Sequence, residues 1–185
     1  MSKNSIDITS VQEHRIFHPN DSLLYSSNSS YQLITSSGTK NSVNATVGGI
    51  GLLLSPKAIN NLVNVESISS RIMIAEFSSN PILTVVCVYS PHNSAPEEEV
   101  EEFYTSLKNL INDIPKHNFL VISGDFNAKL ACPDVPFSYN KRTNRNGEHL
   151  LDFLVEYDLF SSNTSFMKSR NHLWTFQYPN GESAD

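Results

Sequence analysis

A strand–helix–strand pattern in the middle of the chain constrains its fold more than any other feature. An apolar, β-branched run from Ile82 to Tyr89 precedes a helical pattern, and a second apolar run, Phe119 to Ile122, is too short to be a helix. Between the runs, Ser94 and Glu97 have capping-box spacing, and apolar residues then recur at helical intervals until Pro115. A helix that connects two strands is typical of α/β sheets.

Further apolar segments predict more strands and one more helix around this pattern. Arg71 to Phe77 is joined to the strand from Ile82 by a turn, which predicts a hairpin. A second helix is predicted from Gly147 to Tyr157, and the polar segment Pro19 to Ser30 is predicted to be a surface loop. The remaining predicted strands are Ile6 to Val11, Tyr31 to Thr35, Gly48 to Ser55 and His172 to Tyr178. Hairpins combined with a helical crossover predict an α/β (α+β) fold with mixed sheets and helices outside.

Composition places the chain among folded proteins of one domain. It has 185 residues, of which 39% are hydrophobic, and a formal net charge of −6. That charge argues against constitutive non-specific binding of nucleic acid but not against a metal-dependent nuclease, since bound cations invert the field of acidic residues. Cys87 and Cys132 form no disulfide framework or zinc site, and no signal peptide or membrane span is recognised, so we expect an intracellular, non-membrane protein.

The polar residues that follow the second apolar run are the first candidate site. The run is predicted to be a buried strand that stops at Ser123 and Gly124. Asp125 and Asn127 come next, two positions apart, which in extended backbone places both side chains on one face. A carboxylate and an amide that leave a strand together can direct polar chemistry into a cleft, whereas an ordinary Asx turn is the alternative interpretation.

Several motifs, taken in order, resemble one enzyme superfamily. They are QE at Gln12–Glu13, GGIGLLLS from Gly48 to Ser55, VYSPHN from Val88 to Asn93, SGDFN from Ser123 to Asn127, NRNGE from Asn144 to Glu148, and WTF from Trp174 to Phe176. The series resembles the endonuclease/exonuclease/phosphatase superfamily. The nearest resemblance is to endonuclease domains of non-LTR retrotransposon polyproteins and their craniofacial-development-protein-like relatives. The resemblance implies a four-layer α-β-β-α sandwich of two mixed sheets.

The resemblance also implies a reaction, the hydrolysis of a DNA phosphodiester by water with Mg²⁺ or Mn²⁺. Glu13 matches the metal-binding glutamate, and a carboxylate suits a cation that prefers hard oxygen ligands. Asp125 matches the aspartate that orients or deprotonates the attacking water. Asn127 matches the asparagine that donates its amide hydrogens to the phosphate. Tyr89 matches a tyrosine near the phosphate or leaving group, and packing in the core is the alternative for this residue.

Other polar residues are weaker candidates. Trp174 matches a substrate-side aromatic residue, although a single tryptophan in a strand is more often part of a core. Arg15 and Arg145 could contact phosphate, although exposed arginines are common on any surface. The acidic start of the first helix, at Glu97, is interpreted as a solvated helix terminus and not as a metal site. His14 is assigned no role.

Two parts of the superfamily pattern are not recognised in this chain. One is a first strand that ends in asparagine, and the other comprises a later IDYI-like strand and a Ser-Asp-His sequence; Asp185 does not replace the acid of that strand. We therefore expect residues 1–185 to form one partial domain, incomplete at both ends, with impaired or no catalysis. Missing strands would also expose apolar surface and open backbone.

Two alternative functions remain open at this point. A superfamily phosphodiesterase or phosphatase could act on another substrate, such as a phosphoinositide, a sphingolipid or a poly(A) tail. A non-catalytic interaction module could use the same fold, which the acidic charge favours and the retention of Glu13, Asp125 and Asn127 opposes.

Overall fold

A computed structural model describes residues 6–20, 22–28, 31–169, 176–177 and 183–184. The described strands are β1 (Ile8–Gln12), β2 (Leu23–Asn28), β3 (Tyr31–Ser36), β4 (Thr39–Lys40), β5 (Thr46–Val47), β6 (Ile50–Leu54), β7 (Leu62–Ser69), β8 (Ile72–Phe77), β9 (Leu83–Tyr89), β10 (Phe119–Asp125), β11 (Phe176–Gln177) and β12 (Ser183–Ala184). The described α-helices are α1 (Pro56–Asn61), α2 (Glu97–Asp113) and α3 (Arg145–Glu156).

The first four-stranded sheet has the order β1-β6-β3-β2, and its described pairs are antiparallel. β6 lies in the interior of this sheet, which agrees with its continuous apolar sequence and its burial. Ser55 then accepts a hydrogen bond from the backbone N–H of Ala58 and caps α1, which Pro56 begins. Neither α1 nor β7 was predicted from the sequence.

The second four-stranded sheet has the order β10-β9-β8-β7. β8 and β9 form the predicted hairpin, and β9 and β10 are parallel, as expected for two strands that α2 connects. Side chains alternate across this sheet, so Val85, Cys87 and Tyr89 share one face. The predicted α/β sandwich is confirmed, with an antiparallel first sheet and a mixed second sheet among the described strands.

The apolar core of the first compact unit, residues 1–90 and 105–125, lies between these two sheets. β1 contacts β9 and β10, and β6 contacts β8 and β9. The fully or nearly buried side chains of this core are Ile34, Ile50, Leu52, Leu54, Met73, Ala75, Phe77, Val85, Cys87 and Tyr89. This packing fixes the ends of β1, β9 and β10, where the candidate residues lie.

A second compact unit comprises residues 91–104 and 126–185, so α2 contributes residues to both units. Tyr104 stacks on His149 and packs near Phe153, which is 1% exposed. Both predicted helices are confirmed, although α2 begins at Glu97 and not directly after Ser94, and α3 begins at Arg145 and not at Gly147. Asn144 caps α3 because its Oδ1 accepts the N–H of Gly147 at 2.8 Å.

Two local predictions were wrong. The segment Pro19 to Ser30 is not entirely a loop, because β2 pairs antiparallel with β3 within it. The strand at Phe119 is not fully buried and does not stop at Ser123, since β10 continues to Asp125 and Phe119 is 60% exposed. Of the predicted strand His172 to Tyr178, only Phe176–Gln177 lies within the described residues, so Trp174 is outside them.

Candidate functional site

A tight turn after β1 positions Glu13. Glu13 and Arg15 both have left-handed backbone, with φ of 53° and 56°, which is uncommon for residues with a side chain. His14 between them stabilises the turn, because its Nδ1 accepts the N–H of Ile16 at 3.0 Å and its Nε2 lies 3.1 Å from the carbonyl oxygen of Ile50. His14 is therefore a positioning residue that the sequence analysis missed.

The turn before β6 packs closely against the imidazole of His14. Gly49 has φ of 87°, and a Cβ at this position would lie 2.4 Å from the ring of His14. The backbone N–H of Arg15 also donates to the carbonyl oxygen of Gly48 at 3.0 Å. Because burial disfavours the charged imidazolium, the pKa of His14 is lowered, although backbone hydrogen bonds to Ile50 and Ser36 oppose the change. Neutral His14 thus connects the turn that contains Glu13 to the backbone of Ile50, at the start of β6.

Tyr89, at the end of β9, binds Glu13 directly. Its hydroxyl donates a hydrogen bond of 2.5 Å to Oε1 of Glu13, while Oε2 of Glu13 lies 3.9 Å from Nη2 of Arg15. The tyrosine is 4% exposed, and the side chain of Glu13 is 45% exposed. Tyr89 therefore belongs to both the core and the candidate site, so the two interpretations of this residue are compatible.

Asp125 lies beside Tyr89 because β10 and β9 are parallel and these two residues are register partners. The carbonyl oxygen of Asp125 accepts the N–H of Ser90 at 2.8 Å. Gly124 permits this approach: its φ is 148°, and a Cβ there would lie 1.9 Å from the carbonyl oxygen of Val88. The SGDFN motif thus needs its glycine in order to bring Asp125 against the end of β9.

The pKa of Tyr89 is raised, and both carboxylates contribute to this change. Burial is the largest cause of a raised Tyr89 pKa, followed by the hydrogen bond and charge of Glu13 and then the charge of Asp125. The structure therefore brings Glu13, Tyr89 and Asp125 together within the first compact unit. At neutral pH the phenol is protonated and acts as a hydrogen-bond donor.

Arg71 is a further residue near this group. Its Nη1 lies 3.3 Å from the carbonyl oxygen of Tyr89, and its guanidinium carbon lies 5.5 Å from the centroid of the Tyr89 ring. The backbone N–H of Tyr89 donates to the carbonyl oxygen of Arg71 at 2.9 Å. The predicted hairpin register could have found this pair, because Ile72 and Val88 are partners and Arg71 and Tyr89 follow next.

Two polar contacts join the side chains of β1 to those of the second sheet. Oγ of Ser10 and Oγ of Ser123 are 2.5 Å apart, and Nε2 of Gln12 donates to Sγ of Cys87 at 3.6 Å. Burial raises the pKa of the Cys87 thiol, so this cysteine stays protonated and unreactive at neutral pH. These residues connect β1 to the second sheet next to Glu13.

Asn127 follows the end of β10 and belongs to the second compact unit. The backbone is not extended from Asp125 to Asn127, as the sequence analysis assumed, because β10 ends at Asp125 and Asn127 has φ of 48°. A left-handed residue breaks the two-residue alternation of a strand. The role of Asn127 in binding phosphate therefore stays a prediction that strand geometry does not support.

The other motif residues of the second unit have structural contacts. Asn146 is fully buried, and its Nδ2 donates to the carbonyl oxygen of Pro91 at 2.8 Å. Arg145 binds the carbonyl oxygen of Ala95 at 2.9 Å and Oε2 of Glu97 at 3.2 Å. Glu97 also lies 2.6 Å from Nε2 of His149, so this helix start is held by partners and is not simply solvated.

The carboxylate oxygens of the candidate site are of the type that a hard divalent cation prefers. Glu13 and Asp125 supply carboxylates, and Mg²⁺ is commonly held by one or two carboxylates while it keeps several waters. Among the described residues, no group of three or more histidine, cysteine, aspartate or glutamate side chains is arranged as a metal site.

The fold and this site define the chain as an α/β sandwich with an acidic, tyrosine-containing site at the end of a parallel strand pair. It is similar to craniofacial development protein 2 of Bos taurus and of Tragulus javanicus, at 30% identity over 142 residues in both cases. The match covers 74% of this chain and 24% and 25% of those proteins, so the chain spans about a quarter of the length of these curated relatives. No family model matches the chain. Within the described residues, no helix is long and apolar enough to span a membrane.

Proposed function

We propose that Glu13, Tyr89 and Asp125 form the site of a divalent-metal-dependent phosphodiester hydrolase of the endonuclease/exonuclease/phosphatase type, with DNA as substrate. The observation that carries the proposal is that Tyr89 hydrogen-bonds to the carboxylate of Glu13 and is the register partner of Asp125. Their order and spacing in the chain match the motifs of that superfamily, and in particular its retroelement endonucleases. The similarity to craniofacial development protein 2 supports the same relationship.

Each residue has a role that follows from its chemistry. Asp125 is exposed at the end of β10, where its carboxylate can orient an attacking water and accept its proton. Tyr89 donates to Glu13 and thereby fixes the direction of that carboxylate. Mg²⁺ or Mn²⁺ held by Glu13 would supply Lewis-acid polarisation of a phosphate oxygen. Asn127 would donate its amide hydrogens to the phosphate, as the resemblance implies.

Calorimetric titration with Mg²⁺ and with Mn²⁺ tests the metal site separately from turnover. Wild-type protein should bind, Glu13→Gln should bind at least tenfold more weakly, and Asp152→Asn, a change of an exposed acid on α3, should bind like wild type. Plasmid nicking should then require the metal and be lost in Asp125→Asn. If wild-type protein binds neither ion, the hydrolase proposal fails, and a non-catalytic interaction module becomes the better interpretation.

A further inference from the structure

Ser94 has an exposed hydroxyl in the turn that precedes α2. The capping-box spacing suggested that this serine starts the helix, but α2 begins at Glu97, three positions later. The turn is closed by the N–H of Ala95, which donates to the carbonyl oxygen of His92 at 2.8 Å. Ser94 itself is exposed, so its hydroxyl is accessible from solvent.

A strongly acidic segment follows Ser94 in the chain. Five of the eight residues from Ala95 to Glu102 are glutamates, at the third, fourth, fifth, seventh and eighth positions after the serine. Three of them are exposed, namely Glu98, Glu101 and Glu102. One class of serine kinases selects such targets, because basic residues beside the kinase active site bind carboxylates on the C-terminal side of the target hydroxyl.

One other serine or threonine of the 185 residues has an acid at the third following position. It is Ser10, which Glu13 follows, and only this one acid lies near it on the C-terminal side. Ser10 belongs to β1 and is only partly exposed, and its Oγ lies 2.5 Å from Oγ of Ser123. Of the two serines, Ser94 alone combines the acidic pattern with an accessible hydroxyl.

We propose that Ser94 accepts a phosphoryl group from ATP, transferred by a protein kinase that recognises acidic residues, and that Arg145 binds the added phosphate. In this step Oγ of Ser94 forms a bond to the γ-phosphorus, and the bond from that phosphorus to the oxygen that bridges to the β-phosphate breaks. ADP leaves, and the hydroxyl proton passes to a carboxylate of the kinase. The phosphoserine carries a charge of about −1.5 to −2 at pH 7.

Arg145 lies beside the residue that follows Ser94. Its Nη1 lies 2.9 Å from the carbonyl oxygen of Ala95 and 3.2 Å from Oε2 of Glu97. Its Nε is buried and has no hydrogen-bond partner among the described residues. Since a guanidinium binds phosphate through two parallel hydrogen bonds, the phosphate would compete with Glu97 for Arg145. Glu97 would keep its contact with Nε2 of His149, at 2.6 Å.

Phosphorylation of Ser94 is independent of metal binding and hydrolysis. It requires an exposed serine and its acidic neighbours, all of them in the second compact unit, and a kinase. Failure of phosphorylation would leave the hydrolase proposal unchanged, and an inactive hydrolase would leave the Ser94 site unchanged. The two proposals can therefore fail separately.

Incubation of the folded chain with ATP, Mg²⁺ and a purified serine kinase of the acid-directed class tests the acceptor. Mass spectrometry of the intact protein should show one added phosphoryl group, and fragmentation of its peptides should place that group on Ser94. Ser94→Ala should abolish the modification, whereas Ser10→Ala should be phosphorylated like wild type. Circular dichroism shows whether each variant is folded.

Two double variants test recognition of the acidic segment. Glu98→Gln combined with Glu99→Gln should lower the rate of phosphorylation about tenfold, because the kinase loses two carboxylates that it binds. Asp152→Asn combined with Glu156→Gln removes the same number of charges from exposed positions of α3 and should leave the rate unchanged.

A pH titration of the phosphorylated protein, followed by phosphorus nuclear magnetic resonance, tests the role of Arg145. The second pKa of phosphoserine is usually about 6, and a neighbouring cation lowers it because it favours the dianion. Arg145→Gln should therefore raise this pKa. Arg142→Gln removes an exposed arginine from the preceding loop and should cause no comparable change.

Three results would overturn the acceptor site: no phosphoryl group on the folded wild-type chain, equal phosphorylation of Ser94→Ala, or equal rates for the two double variants. Equal pKa values in Arg145→Gln and Arg142→Gln would overturn the role of Arg145. If Arg145→Gln does not fold, Arg145→Lys replaces it, and loss of the two-bond contact should again raise the pKa.

Discussion

The phenol of Tyr89 hydrogen-bonds to the carboxylate of Glu13 at 2.5 Å, although 76 residues separate them in the chain. The contact joins the end of β9 to the left-handed turn after β1. It orients a half-exposed carboxylate by means of a buried donor, which is how a rigid scaffold preorganises a charged ligand.

Tyr89→Phe should destabilise the protein and loosen Glu13. Removal of the hydroxyl leaves the aromatic packing in place but breaks one hydrogen bond to a charged group. Such bonds contribute about 1.5–3 kcal/mol, and solvent around Glu13 reduces the expected loss in free energy of unfolding to about 1 kcal/mol. Urea unfolding measures the loss. Tyr25→Phe, at a 52% exposed tyrosine, should cause no comparable change; equal effects would contradict the contact.

Tyr89 and Tyr104 should ionise at higher pH than the exposed tyrosines. Burial raises the pKa of both, and the carboxylates add to the effect at Tyr89. A raised pKa in the folded state stabilises the fold fully below the unfolded value of about 10, and this stabilisation is lost as pH rises further. Ultraviolet absorbance should therefore show two late steps, one of which disappears in Tyr89→Phe. If Tyr89→Phe removes no late step, the raised pKa of Tyr89 is refuted.

Acid should destabilise the protein through His14. Its lowered pKa means that the neutral form is preferred in the fold, so its contribution is present above the unfolded value of about 6.5 and is lost as pH falls below it. His14→Gln should be less stable at pH 7.5 and should lose less stability between pH 7 and pH 5 than wild type. Urea midpoints across this range measure both effects. If the pH profile of His14→Gln runs parallel to that of wild type, the role of His14 is disproved.

Gly124→Ala should destabilise the protein more than Gly48→Ala does, although both substitutions add one methyl group. The added Cβ would overlap the carbonyl oxygen of Val88 at 1.9 Å, so β10 must move away from β9. We expect a loss of about 3 kcal/mol or more, as for other severe backbone substitutions. Gly48→Ala is the matched control, because it has φ of 65° and open space, and should cost only about 1 kcal/mol. Thermal unfolding compares them, and equal losses would contradict the close approach.

Much of the fold follows from local patterns in the sequence. The helical spacing of apolar residues after Glu97 predicts α2, and the apolar, β-branched runs of β8 and β9 with a turn between them predict their hairpin. β2 was missed because its second half, Ser26 to Asn28, is polar and shows no strand pattern, although the structure pairs it with β3. α1 was missed because six residues carry too little periodicity to distinguish a short helix from a turn.

The residues of the candidate site could be predicted from the sequence, but their arrangement in space could not. The motif resemblance brought Glu13, Tyr89 and Asp125 into one hypothesis, and the structure places them together. It could not reveal that His14 and Gly49 hold the Glu13 turn, since that contact joins two left-handed turns distant in sequence. The left-handed backbone of Asn127 could not be predicted either, because the alternation of side chains does not show where a strand ends.

The bond between Ser10 and Ser123 spans 113 positions of the chain. During synthesis on a ribosome, β1 leaves the exit tunnel long before β10 exists. The first sheet can therefore form early, whereas the end of β1 has to wait for the parallel strand pair before it gains its partners. Loop closure over so many residues makes such contacts slow to form, so the candidate site should be among the last parts of the first compact unit to mature.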